Sequence, residues 1–175
     1  MDNPQILKNN AILNNLSSLP EKLLKLHSTE NVCEFLLHDL CDADCFDLKK
    51  AAYFVDNPDF DCLKGIAGFD ATEKFVQAPI WETPELFAEH MKNAAFNQRV
   101  RGISRHSMRK MQQADDETTG VIANLLGLQK PLYCSWEMKH DNHGLLIYEM
   151  QLSCAVPQEV VRKGACLLGF CPIYV

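Results

Sequence analysis

The sequence predicts an α+β domain, a central antiparallel sheet backed by helices. Two turn-linked pairs of apolar segments, near residues 50–69 and 132–152, predict the sheet. Apolar residues recurring at three and four in the stretches between them predict the helices.

The chain opens as helix. Ile6, Leu7, Leu13, Leu16 and Leu19 fall near helical spacing, with Asn9, Asn10, Asn14 and Asn15 on the other face. Pro20 suits the first turn of a second stretch, Glu21 to His27, where its missing N–H costs nothing. These segments form an N-terminal helical extension of about residues 1–27. Ser28 or Thr29 caps the next helix, whose apolar stripe is Val32, Phe35, Leu36 and Leu40, and Asp42 to Asp44 end it.

Lys50 to Val55 then reads as a strand, Asp56-Asn57-Pro58-Asp59 as a turn, and Cys62 to Phe69 as the returning strand. Gly65 and Gly68 inside that strand signal a bulge or a close approach by ligand or backbone. Pro84 to Phe96 is predicted helical. Asp115 to Glu117 open another helix, with carboxylates at its positive end and Gly127 as its C-cap.

Leu132 to Lys139 alternates strictly. Leu132, Cys134, Trp136 and Met138 point one way, and Ser135, Glu137 and Lys139 the other. A turn from His140 to Gly144 leads into a strand from Leu145 to Leu152. Pro157 to Leu168 is a last helix, and Cys171 to Val175 a last edge strand. With no repeat or linker, residues 1–175 are read as a single domain.

Composition narrows the function classes. Hydrophobic residues make up 47% and charged residues 23%, the balance of a chain that buries a core. A net charge of −6 argues against nucleic acid, whose binding rewards a basic face. No run approaches the ~20 apolar residues that cross a bilayer, and no basic leader precedes an apolar core. A cytoplasmic, membrane-free protein is expected, its eight cysteines free thiols, since no CxxC pair occurs. Nothing supports enzyme activity: G-x-S-x-G, H-E-x-x-H and phosphate-cradling glycine loops are all missing.

Leu26-His27-Ser28-Thr29-Glu30-Asn31-Val32, Phe35-Leu36-Leu37, Ala51 to Asp56 and Leu63 to Phe69 together resemble the start of a GAF domain. Gly120 to Ala123 and Lys130-Pro131-Leu132 resemble the family's segment before its third strand. The resemblance covers under half of the chain. It implies a GAF-like central antiparallel sheet with helices packed on one side, in a sensory or regulatory domain in signalling that binds a small molecule and self-associates as a homodimer. The expected pocket lies between the sheet and the irregular middle segment. Its walls are Tyr53, Ile66, Phe69, Trp81 and Trp136, with Arg105 or Arg109 anchoring an acidic group.

Two constellations carry alternatives. His38, Cys41 and Cys45, with Glu34 one turn earlier and Cys62 from the hairpin, are ligand types for zinc or iron and would make a metal or thiol-redox protein. The plainer account makes Cys41 and Cys45 core packers, with Asp42, Asp44 and Asp47 raising rather than lowering thiol pKa values. His140 and His143 form an H-x-x-H turn, too few ligands for a metal.

The segment Arg99 to Lys110 is basic, and Ser104 is a cap for a helix stacking Arg105 on Arg109. Its charge calls for a phosphate, a partner's acidic face or the chain's own 23 acids, the last being the plainest answer. A ligand-free protein–protein adaptor, docking through the N-terminal helix or this segment, is the third alternative.

Overall fold

The computed structural model describes residues 3–26, 29–73, 75, 78–151 and 156–173. The protein is α+β, built on a five-stranded antiparallel sheet. Its elements are α1 (Pro4–Lys25), α2 (Val32–Cys41), β1 (Leu48–Asn57), β2 (Cys62–Asp70), α3 (Pro84–Asn93), α4 (Ala95–Arg101), β3 (Ser104–Arg105), α5 (Asp115–Leu126), β4 (Leu132–Glu137), β5 (His143–Met150) and α6 (Gln158–Ala165). A 3₁₀ turn, Cys166–Phe170, follows α6.

The strand order is β3-β2-β1-β5-β4. The two hairpins therefore lie in one layer, joined where β1 pairs with β5 from Leu48↔Met150 to Asp56↔His143. Along β1, Ala51, Tyr53 and Val55 enter one core while Ala52 and Phe54 enter another. Residues of α1, α2, α3 and α6 fill the first core, and Phe96 and Val100 of α4 with Ile122, Ala123 and Leu126 of α5 fill the second. Helices thus cover both faces, not the single face expected. The consecutive apolar run Ala51 to Val55 presents apolar side chains on both faces of β1, so both faces need cover.

Glycine explains how α4 comes so close. The β1–β2 register runs Tyr53↔Ala67 and then Phe54↔Gly65, leaving Ile66 as a bulge. A Cβ on Gly68 would lie 2.6 Å from Val100 Cγ2, so the helix rests on bare backbone. The glycine signal in β2 is thus both a bulge and a close approach, with α4 as the approaching element. Asn97, buried in α4, fastens the contact: its Oδ1 accepts from Gly68 N at 2.8 Å and its Nδ2 donates to Met91 O at 2.8 Å.

Several boundaries differ from the sequence expectation. Pro20 lies inside the continuous α1 rather than opening a second helix. Buried Ile12 and Leu19, and a Lys22–Asp39 ion pair at 2.8 Å to α2, hold the helix across the lost hydrogen bond. Asn31, not Thr29, stands at the N-cap of α2, and Ser28 lies outside the described residues, as does His27. The helix expected over 84–96 breaks at the extended Ala94 (ψ 122°), which turns α4 onto the sheet.

Ser104 and Arg105 form a short strand against Lys64 and Leu63, not a helix cap. His140 occupies the turn at φ 60°, whereas His143 belongs to β5. Leu152 lies outside the described residues. Cys171 to Ile173 form no strand, and Tyr174 and Val175 also lie outside the described residues. Among the described residues no helix is long and apolar enough to cross a membrane.

Candidate functional site

The five residues expected as pocket walls all pack in the first core, but they do not line one common cavity. Tyr53 is fully buried and stacked on Trp136, with ring centroids 5.9 Å apart and planes 7° from parallel. Trp81 packs on Phe35 and donates its Nε1–H to Asp39 at 3.0 Å, with Lys22 Nζ 5.2 Å from the indole centroid. Phe69 meets His38 edge-on at 5.4 Å. These rings are walls of the first core. Arg105 is exposed on the edge strand β3, and Arg109 stands 3.6 Å from Asp115 of α5. Ile66 alone of the seven opens onto the polar cleft described below.

The thiol and imidazole set is also divided. His38, Cys41 and Phe69 border one cleft of about 450 Å³, and His38 Nδ1 lies 3.1 Å from Asp39 Oδ1. Cys45 follows the end of α2 and is fully buried. Cys62 begins β2 seven residues before Phe69, roughly 20 Å away along an extended strand, with its thiol 3.7 Å from Ser104 Oγ. Among the described residues no three His, Cys, Asp or Glu side chains gather as a metal would require. Burial first, then Cys45, Asp42 and Asp70, pushes the Cys41 thiol well up; burial with Asp39 and Asp42 pushes Cys45 up to about 12. Both side chains pack within the first core. The seven described cysteines are all free.

Three side chains of the basic segment have acidic neighbours within the chain. His106 Nδ1 lies 3.0 Å from Asp61, Lys110 4.0 Å from Asp61, and Arg109 3.6 Å from Asp115. Arg99 donates to Leu125 O at 2.8 Å. Arg101 is different, because its acidic partner is buried and borders a cavity.

That cavity, about 460 Å³, lies between the start of α2, the bulge of β2 and the end of α4. Cys33, Glu34, Lys64, Gly65, Ile66 and Arg101 are among its lining residues. Glu34 is 2% exposed; its Oε1 accepts from Arg101 Nη1 at 3.1 Å and from Asn97 Nδ2 at 3.3 Å. Burial pushes the Glu34 carboxyl up, and Arg101 and Asn97 only partly offset it. Lys64 Nζ donates to Arg101 O at 3.0 Å, which fixes the β2 wall against the helix end. Contact with the Cys171 thiol and burial push the Cys33 thiol well up, so the cleft's sulfur wall is a neutral thiol.

Glu34 and Arg101 were each visible as residues, the first within a candidate ligand set and the second within a basic run. A buried acid one turn into an apolar helix was the available signal, and only the fold pairs it with the arginine 67 positions later. No family model, curated protein or solved structure matches this chain.

Proposed function

We propose that the protein is a GAF-like sensory or regulatory domain that binds a small molecule in the cleft between α2, β2 and α4. The observation that carries this reading is a buried carboxylate, Glu34, held against Arg101 and Asn97 on the wall of a 460 Å³ cavity. Small-molecule sites are concave and place a few fixed polar groups among apolar ones. Here the polar groups are locked by second partners, and Ile66 and Cys33 supply apolar surface.

A thermal-shift screen of nucleotides, carboxylic acids and aromatic compounds tests the reading. A ligand at about 100-fold its dissociation constant adds ~2.7 kcal/mol of stability. The same compound should lose its effect on R101A protein. A screen in which no compound moves the melting curve would sink the proposal.

One observation favours an adaptor as the second reading. An apolar groove of about 610 Å³ runs along Pro20, Leu23, Leu24, Val32, Leu167 and Phe170, with Leu24 73% and Phe170 82% exposed. Large exposed apolar side chains in one groove suit a protein partner or a homodimer. Sedimentation of wild type against L24E and F170E discriminates: a dimer dissociated by both variants would support self-association through this groove.

A further inference from the structure

Cys33 lies in the first turn of α2 and Cys171 just past the 3₁₀ turn, far apart in the chain. The fold brings them into contact, and the Cys33 S–H hydrogen-bonds the Cys171 sulfur. Their neighbours agree with that placement. Val32, Cys171 and Pro172 line the apolar groove together, while Cys33, Pro172 and Ile173 line the polar cleft. The thiol pair is thus part of the partition between the two openings. Both cysteines are free, and they are 4% and 6% exposed.

The two sulfurs are placed for bonding. A disulfide holds its sulfurs about 2 Å apart, and thiols already in contact need only a small further approach. On one side α2 is a fixed element. On the other, Cys171 to Ile173 belong to no helix or strand, so an approach of that size breaks no ladder. Cys171 N donates to Leu168 O at 3.1 Å, and its Sγ lies 4.0 Å from Leu167 O, so these contacts stay within its own turn.

We infer that Cys33 and Cys171 are a reversible disulfide pair, a modification site for peroxides. Cys171, on the wall of the groove, takes the first step. Its sulfur attacks a peroxide oxygen and the O–O bond breaks, giving a sulfenic acid and, with the thiol's proton, one water. The Cys33 sulfur then displaces the hydroxyl, forming the S–S bond, and the hydroxyl leaves with the Cys33 proton as a second water. Two thiols and one hydrogen peroxide thus give one disulfide and two waters, and a dithiol reductant reverses the bond by exchange. Burial holds Cys33 neutral, so contact rather than thiolate character recruits it. The bond ties the chain that carries Pro172 and Ile173 to the first turn of α2, fixing one wall of the polar cleft whatever that cleft binds.

Treatment of the native protein with hydrogen peroxide, then blocking of free thiols, digestion and peptide mass mapping, tests the pair. The expected product is a peptide joining Cys33 to Cys171 in a monomer that has lost two hydrogens, and dithiothreitol should restore the original mass. C33S should stop at a Cys171 sulfenic acid, trapped by dimedone, and C171S should give neither product. C62S should form the disulfide as wild type does, which separates it from reaction at the more open Cys62 thiol. Should C33S or C171S fail to fold, the joined peptide in wild type and C62S decides. If Cys33 and Cys171 are still free once Cys62 is fully oxidised, or are joined to other cysteines instead, the inference is overturned.

Discussion

A Cβ placed on Gly65 would lie 1.9 Å from the carbonyl oxygen of Val100. The obstacle is helix backbone and cannot swing aside as a side chain would. Substitution G65A must therefore lift α4 from the sheet, and overpacking of this kind costs ~1–3 kcal/mol or more. Chemical denaturation should show that loss. A G120A control, inside α5 where a Cβ meets nothing within 4 Å, should instead gain ~0.5–1 kcal/mol.

Acid should destabilise the protein through Asp39. Burial raises its carboxyl, but hydrogen bonds from His38, Lys22 and Trp81 outweigh that and hold it below its ordinary value. A carboxyl whose folded pKa is depressed contributes stability above its unfolded pKa and loses it as pH falls through the folded value. The loss therefore begins below about pH 4. Glu34 has the opposite sign: its raised folded pKa removes stability as pH rises from its unfolded value through the folded one. Urea unfolding at stepped pH should give D39N a flatter acid limb than wild type, and E34Q a flatter limb above it.

Thiol labelling should be selective. Cys33, Cys41, Cys45 and Cys134 are buried with raised pKa values, whereas Cys62 is partly open beside Ser104. Among the described cysteines, Cys62 should react first with a maleimide under native conditions, and mass mapping after brief exposure checks the order. Early labelling of Cys41 or Cys45 would contradict their packing.

The Tyr53–Trp136 stack gives an optical reporter. A Cβ on Gly144 would lie 2.2 Å from Trp136 Cε2, so G144A must push the indole off the tyrosine. The chain has only two tryptophans, and a changed fluorescence spectrum in G144A that W81F leaves in place would localise the shift to Trp136. The accompanying destabilisation should be ~1–3 kcal/mol.

Local chemistry made the hairpins legible. Asn57 Oδ1 accepts from Phe60 N at 3.0 Å in the turn that Asp56-Asn57-Pro58-Asp59 announces, and Gly127 takes the left-handed cap (φ 69°) that ends α5. What sequence could not supply were pairings set by the tertiary fold. Nothing near β1 signals β5 as its neighbour, and the break at Ala94 follows from Asn97 reaching Gly68, a contact 29 residues long. The site suffered in the same way. Arg105 and Arg109 looked like the natural anchors because helical spacing would stack them. The short strand β3 ends that spacing, and Arg101, inside α4, is the arginine the fold carries to the cleft.

The two outer strands bear on how copies of this chain could meet. On one border β3 pairs with β2 at only Leu63 and Lys64, and the loop beyond it is pinned by Ser107 N and Arg109 N donating to Asp61 and Asp56. On the other, the Gln158 amide donates to the Tyr133 carbonyl of β4. Pairing at the first margin is thus short, and at the second the Tyr133 carbonyl is already taken by a side chain, which works against a foreign strand adding there. A second copy approaching β4 would have to displace the Gln158 amide before it could pair there.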